Sequence, residues 1–208
     1  MKNPTWKIIN IGHLRKNQFW DEENDRRDQV CTSILIEADA RRILVDPGLP
    51  STEMFQTLLD QRSGYQPQDI DTIFLTHFHR NHWRSLALFR KSVWLMSRTE
   101  IRWRQRKQET SEEEKNILAR IVPIEEHSLP GIEILSTPGH THGSASLMFE
   151  TREGVVIAAG DAVLTFDHFE FREPSEHAED RKEARCAIDR IAKIADVVIP
   201  GHDNYFVI

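Results

Sequence analysis

The run Thr76-His77-Phe78-His79-Arg80-Asn81-His82 constrains this chain more than any other segment. It follows Thr72-Ile73-Phe74-Leu75, a short apolar stretch that reads as a strand. Histidines at 77, 79 and 82, directly after a strand end, suit a divalent transition metal, for which imidazole is the commonest nitrogen ligand. In extended chain His77 and His79, two apart, point the same way. His82 falls where the chain turns into a helix-like stretch, His82 to Arg90. Further candidate ligands follow other apolar stretches: Pro138-Gly139-His140-Thr141-His142-Gly143, then Gly160-Asp161, then Pro200-Gly201-His202-Asp203.

With 208 residues, 39% hydrophobic and 29% charged, the chain suits one soluble globular domain over residues 1–208 with a sizeable core. No apolar run approaches the roughly 20 residues of a membrane span, and the N-terminus has no signal-peptide core, so a cytoplasmic protein is expected. The net charge of −6 argues against a dedicated nucleic-acid binder. Cys31 and Cys186 cannot build a disulfide framework and read as two buried free thiols. Strands are expected at Trp6 to Ile11, Val30 to Glu37, Arg41 to Val45, Thr72 to Leu75, Val93 to Met96, Gly131 to Ser136, Ser144 to Glu150, Gly154 to Ala159 and Val197 to Ile199. Helices are expected at Thr52 to Arg62 and, with an apolar face, at His177 to Ala195. Two segments look like insertions: polar Arg15 to Asp28 around Phe19-Trp20, and charged, helix-prone Ser97 to Arg120. The latter carries the basic run Arg102-Trp103-Arg104-Gln105-Arg106-Lys107, which reads as a solvated helix face or a site for a phosphate or acidic substrate.

The ligand candidates resemble the metallo-β-lactamase fold superfamily, whose motif reads His-x-His-x-Asp-His, then His, then Asp, then His. The match falls on His77, His79, His82, His140, Asp161 and His202; Asn81 stands where the family has an Asp. The resemblance implies an α/β fold, an αββα sandwich of two mixed β-sheets flanked by helices, with the site at one edge between the sheets. It implies His77, His79 and His140 around one metal, His82 and His202 around a second, and Asp161 bridging. Asp46, in Leu44-Val45-Asp46-Pro47-Gly48, is implied to orient a ligand imidazole, with a turn-forming role as the alternative. His142 is expected at the periphery or exposed. His13, His127, His168 and His177 are expected at the surface, although the loop carrying His168 and Phe169 could reach the pocket. The short segments 44–48 and 195–202 are similar to the small metallo-β-lactamase domain-containing protein 1 group. The chain ends close to His202, so the glyoxalase II subgroup with its extra C-terminal domain is not expected.

Asn81 removes one negative charge. Two divalent ions with one carboxylate and one hydroxide leave about two net positive charges, against about one with an Asp, so the second metal is expected to be weakened. An Asn cannot be a general base; Asp203 or hydroxide itself is the candidate instead. Asn81, Asp161 and Asp203 are therefore the candidate catalytic residues. The leading expectation is a hydrolase that uses metal-bound hydroxide on a small ester, lactone, thioester or amide. It would carry one or two divalent metals, zinc first and iron or manganese compatible. The alternatives are a phosphodiesterase or ribonuclease, favoured by a basic groove of Arg102, Arg104, Arg106 and Lys107 near the metals, and a metal-binding protein without turnover.

Overall fold

The computed structural model describes residues 3–208. Two sheets face each other. The first has six strands in the order β1 (Thr5–Asn10), β2 (Ser33–Ala38), β3 (Arg41–Val45), β4 (Thr72–Phe74), β5 (Val93–Met96) and β6 (Val122–Pro123). The first three pair antiparallel and the last four parallel. The second sheet runs β11 (Phe206–Val207), β10 (Val197–Pro200), β9 (Gly154–Gly160), β8 (Ala145–Thr151) and β7 (Ile132–Ser136), with only the β9–β10 pair parallel. Both sheets are therefore mixed. Helices α1 (Thr52–Ser63), α2 (Arg80–Trp83), α3 (Arg98–Arg106) and α4 (Glu112–Leu118) connect strands of the first sheet, and α5 (Phe166–Glu170) and α6 (Arg181–Ile194) connect β9 and β10 of the second. This is the αββα arrangement that the sequence led us to expect.

The alternation of side chains along each strand builds the layers. Ile34, Ile36, Ile43, Val45 and Phe74 meet Leu147, Phe149, Val156, Ala158 and Ile199 in the core between the sheets. Leu35, Leu44 and Ile73 point the other way and pack with Phe55 and Leu59 of α1 and with Trp83, Leu86 and Phe89. On the far side, Ile157, Ala159 and Val198 pack with Ala187, Ile188 and Ile191 of α6. Strands covered on both faces read as unbroken apolar runs, as these do.

Several boundaries differ from the sequence reading. The strand expected from Val30 begins at Ser33, and Val30 instead forms an isolated bridge with His13. The expected helix from His82 to Arg90 is only α2 followed by a 3-10 turn, Leu86–Leu88. Tertiary bonds compete with helical ones there: Ser85 donates its N–H to Pro47 O at 2.8 Å and its hydroxyl to Leu49 O at 2.8 Å. The helix expected from His177 starts at Arg181, because the Asp180 carboxylate accepts from Lys182 N and Glu183 N and caps it. Of the two thiols expected to be buried, Cys31 is and Cys186 is exposed. The elements β6, β11 and α5 are too short to carry a periodic signal.

Two glycines allow close approaches that shape one edge of the sandwich. A Cβ on Gly48 would lie 1.8 Å from Asn81 O, so the turn after β3 presses on the first histidine motif. Gly139, at φ 126°, lies against the start of α6, where an added Cβ would fall 2.0 Å from Ala184 N. Asp180 N also donates to Gly139 O at 2.9 Å. The variant Gly139→Ala is therefore expected to lose about 2 kcal/mol or more, because backbone has to move to admit the methyl group. Urea unfolding followed by circular dichroism checks this, and a loss below about 0.5 kcal/mol would show that the helix can yield.

Candidate metal centre

The parallel registers bring the candidate ligands to one edge. Val45 pairs with Phe74 on β3 and β4, so Asp46 and the 76–82 segment emerge together. Pro200 pairs with Gly160 on β10 and β9, which brings Asp161 beside His202. The first sheet thus delivers His77, His79 and His82, and the second delivers His140, Asp161 and His202. Backbone bonds tie the sheets at this edge: Ala145 N donates to Thr76 O at 3.0 Å and Thr32 N to Gly201 O at 2.6 Å.

Four donors converge in a first group: His77, His79, His140 and Asp161. His77 Nε2 is 2.9 Å from His79 Nδ1, which is 3.0 Å from His140 Nε2. Asp161 Oδ2 is 3.1 Å from His140 Nε2 and 3.7 Å from His77 Nε2. Burial and the neighbouring His82 hold His77 well below the usual imidazole range, and burial beside His140 takes His79 down to about 3. Neutral imidazoles cannot all donate to one another, so their lone pairs face a common point.

A second group contains His82, Asp161 and His202. Asp161 Oδ1 lies 3.2 Å from His82 Nε2 and 3.3 Å from His202 Nε2. Asp161 therefore turns one oxygen to each group. His82 Nε2 and Asp161 Oδ1 are buried and have no hydrogen-bond partner among the described residues. Burial opposes charge on His82, yet Asp161 and Asp46 on its two sides push it up to about 10. Burial also opposes charge on Asp161, but the imidazoles of His202, His82, His140 and His77 hold its carboxyl well below the ordinary range. This pocket favours a positive charge, and its orphaned donors of nitrogen and carboxylate oxygen fit a divalent transition metal.

The imidazoles are oriented from behind. Asp46 is 1% exposed and accepts from Thr76 N at 2.9 Å, Thr76 Oγ1 at 2.7 Å and His82 Nδ1 at 2.9 Å. Because Thr76 spends its proton on Asp46, its oxygen is the acceptor for His77 Nδ1 at 3.1 Å. His202 Nδ1 donates to Val30 O at 2.7 Å. Each bond holds its ring from the Nδ1 side and turns Nε2 to the two groups. Asn81 is half-buried, with Nδ2 3.4 Å from His202 Nε2. Asp203 accepts with its carboxylate from Phe166 N at 3.1 Å and Asn204 N at 2.8 Å and belongs to neither group.

Sequence reasoning missed Glu100. This α3 residue is fully buried and joins the two histidine loops: Oε1 accepts from Phe78 N at 3.0 Å, and Oε2 from Thr141 Oγ1 at 2.7 Å and Gly143 N at 3.1 Å. Burial raises its pKa while these donors oppose the rise. The pattern Ser97-x-x-Glu100 resembles a capping box, but Glu100 turns inward instead of back to Ser97. His168 was expected at the surface by default. It is buried, takes Thr165 Oγ1 at 2.8 Å, and burial lowers it to about 4.

Over the two groups lies a cleft of about 580 Å³. His79, Asn81, His140 and Asp161 form its floor, and Lys16, Gln29 and Leu164 are among its walls. The 15–28 segment contributes Arg15, Lys16, Gln18 and Asp25, and is docked on α5 by Trp20 Nε1 donating to Asp167 Oδ2 at 2.9 Å. None of Arg102, Arg104, Arg106 and Lys107 lines the cleft; Arg104 pairs with Glu114 at 2.6 Å and Lys107 with Glu179 at 3.1 Å. His142, His127 and His177 are exposed, His177 at the cleft rim, and His13 is half-buried.

Replacing Glu100 by alanine strands the buried N–H groups of Phe78 and Gly143, each worth about 1–3 kcal/mol. Glu100→Ala is expected to lose about 2–5 kcal/mol in urea unfolding and to weaken zinc binding in calorimetric titration. Unchanged zinc affinity would restrict the residue to a stabilising role.

The sequence model of the Metallo-beta-lactamase superfamily matches residues 26–202. An N-acyl homoserine lactonase of Bacillus cereus is 27% identical over 199 residues, covering 81% of this chain and 79% of the relative. Metallo-beta-lactamase domain-containing protein 1 of Xenopus laevis is 32% identical over 182 residues, covering 86% of this chain and 73% of the relative. Among solved structures, a variant of Bacillus thuringiensis AiiA with N-decanoyl-L-homoserine at its active site superposes with a TM-score of 0.73 at 23% identity, covering 97% of this chain and 93% of that one. The chain belongs to the metallo-beta-lactamase superfamily of metallo-hydrolases.

Proposed function

We propose that this chain hydrolyses a small ester, lactone, thioester or amide with the help of bound divalent metal, and that Asn81 weakens its second metal position. The observation that carries this reading is the shared carboxylate of Asp161, one oxygen in each of two groups of imidazole nitrogens, at the floor of a cleft. His77, His79, His140 and Asp161 would hold the first ion, and His82, Asp161 and His202 the second. A bound ion, zinc first with iron or manganese compatible, supplies Lewis acidity and brings the pKa of a water to about 7.

The chain's own residues do the rest. Asp46 and Thr76 fix the tautomers of His82 and His77, and Val30 O fixes that of His202. Asn81 can orient a water by hydrogen bonding but cannot remove its proton. Asp203 is engaged by two backbone donors, so its support for a role as base is indirect: it holds the start of α5, beside the cleft. A volume of about 580 Å³ suits a small molecule. The relatives that act on N-acyl homoserine lactones make lactones the first substrates to test. A nucleic acid is less favoured, because Arg15 is paired with Asp25 and the 102–107 basic run is outside the cleft.

Elemental analysis of untagged protein purified without chelator is expected to find one tightly held metal and less than one further equivalent. Asn81→Asp is expected to raise the total towards two. His77→Ala is expected to lower hydrolysis of a lactone and thioester panel about 100-fold or more. If the natural chain hydrolyses nothing and Asn81→Asp gains activity with unchanged folding, the natural protein is a metal-binding module without turnover.

A further inference from the structure

The second metal position has a neighbour outside the histidine and aspartate pattern. Gln29 Nε2 lies 3.0 Å from His202 Nε2, and Asn81 Nδ2 lies 3.4 Å from the same atom. His202 Nδ1 is already spent on Val30 O, so Nε2 carries the lone pair, and two carboxamides converge on it. Gln29 is held there by its backbone. Its carbonyl accepts from Arg84 NH1 at 3.2 Å, and the next residue, Val30, bridges to His13. The side chain is half-buried and lines the cleft beside Asn81 and Asp161.

A carboxamide presents a donor on one side and an acceptor on the other. Without a cation, the Gln29 N–H meets the His202 lone pair. With a cation bound to His202, that N–H faces a positive charge, and a half-turn of the amide brings Oε1 to the same place. The spacing suits this. Metal–donor bonds of about 2.0–2.1 Å give donor–donor edges of about 3.3 Å in a tetrahedron and about 2.9 Å in an octahedron. The amide groups stand 3.0 and 3.4 Å from His202 Nε2, alongside the 3.2 and 3.3 Å edges made by Asp161 Oδ1 with His82 and His202.

We propose that Gln29 is a ligand of the second metal position, its Oε1 joining the Asn81 carboxamide where the family motif has one carboxylate. The inference rests on the metal centre proposed above. Two neutral amides contribute dipoles and no charge, so the position remains weak and Gln29 sets how weak. Restoring a carboxylate from residue 29 then substitutes for the one missing at residue 81.

The test is calorimetric titration of chelator-treated protein with zinc ion alone, alongside the melting temperature of the metal-free form. Gln29→Ala is expected to leave the first binding step and the metal-free melting temperature unchanged and to weaken the second step about tenfold or more. Gln29→Glu is expected to tighten the second step about tenfold or more, or to create it if the natural chain shows only the first. A second step within twofold of the natural one in both variants overturns the proposal. So does a tighter second step in Gln29→Ala, which would make Gln29 a competitor for His202. A natural chain that takes no zinc in the first step overturns the metal centre and this inference together, whereas a normal first step with an unresponsive second overturns this inference alone.

Discussion

The centre depends on one buried carboxylate. Asp46 stands at φ 49°, directly after β3 and before Pro47-Gly48, and is almost fully shielded from water. A buried charge persists only when it is hydrogen-bonded and paired. Here the backbone and hydroxyl of Thr76 and the imidazole of His82 supply three donors. Ser33 Oγ and Cys31 Sγ also donate to its carbonyl oxygen. The same bonds that make this charge tolerable set the ring of His82 and, through Thr76, that of His77. Stability of the β3–β4 edge and orientation of two ligands are thus one network.

The candidate ligands come half from each sheet, which makes the site a consequence of sandwich assembly. His77, His79 and His82 leave the end of β4, whereas His140, Asp161 and His202 leave β7, β9 and β10. Neither sheet alone gathers a full set of donors. The core of Ile34, Ile36, Phe74, Leu147 and Ile199 presses the sheets together, and Glu100 ties the two histidine loops at the rim. Electrostatics then acts within that frame. Asp161 is the carboxylate shared by both groups, and the charge of the histidines around it, His202 and His82 first, keeps it ionised despite its burial.

Over this floor, the walls decide what the centre can act on. The 15–28 segment brings mostly polar side chains, held over the cleft by Trp20 and Asn17 bonding to Asp167 of α5. The carboxamides of Asn81 and Gln29 stand beside His202 Nε2 and carry no charge of their own. The two groups are unequal: four donors converge in the first and three in the second, with Asp161 in both.

The αββα layers, and the six residues that converge at their edge, were legible in the sequence because both follow local rules. Side chains alternate along strands, and ligands at strand ends inherit the position of the strand. Asp46 was legible as a support for the same reason, lying just past the end of β3. The helix expected at 82–90 was not, because Ser85 exchanges its helical bonds for Pro47 and Leu49, far away in the chain. Glu100 shows the limit sharply. Ser111-x-x-Glu114 and Ser97-x-x-Glu100 look alike in sequence, yet the first closes a capping box at the surface and the second sends its carboxylate into the core. Nothing local distinguishes them; the buried N–H groups of Phe78 and Gly143 do. Gln29 and His168 were hidden for the same reason. The sequence determined which residues carry the chemistry of metal ligands and on which strand ends they sit, because those depend on residue type and short-range geometry. The tertiary structure alone decided which polar side chains stand behind and beside them, because those contacts join segments far apart in the chain through packing.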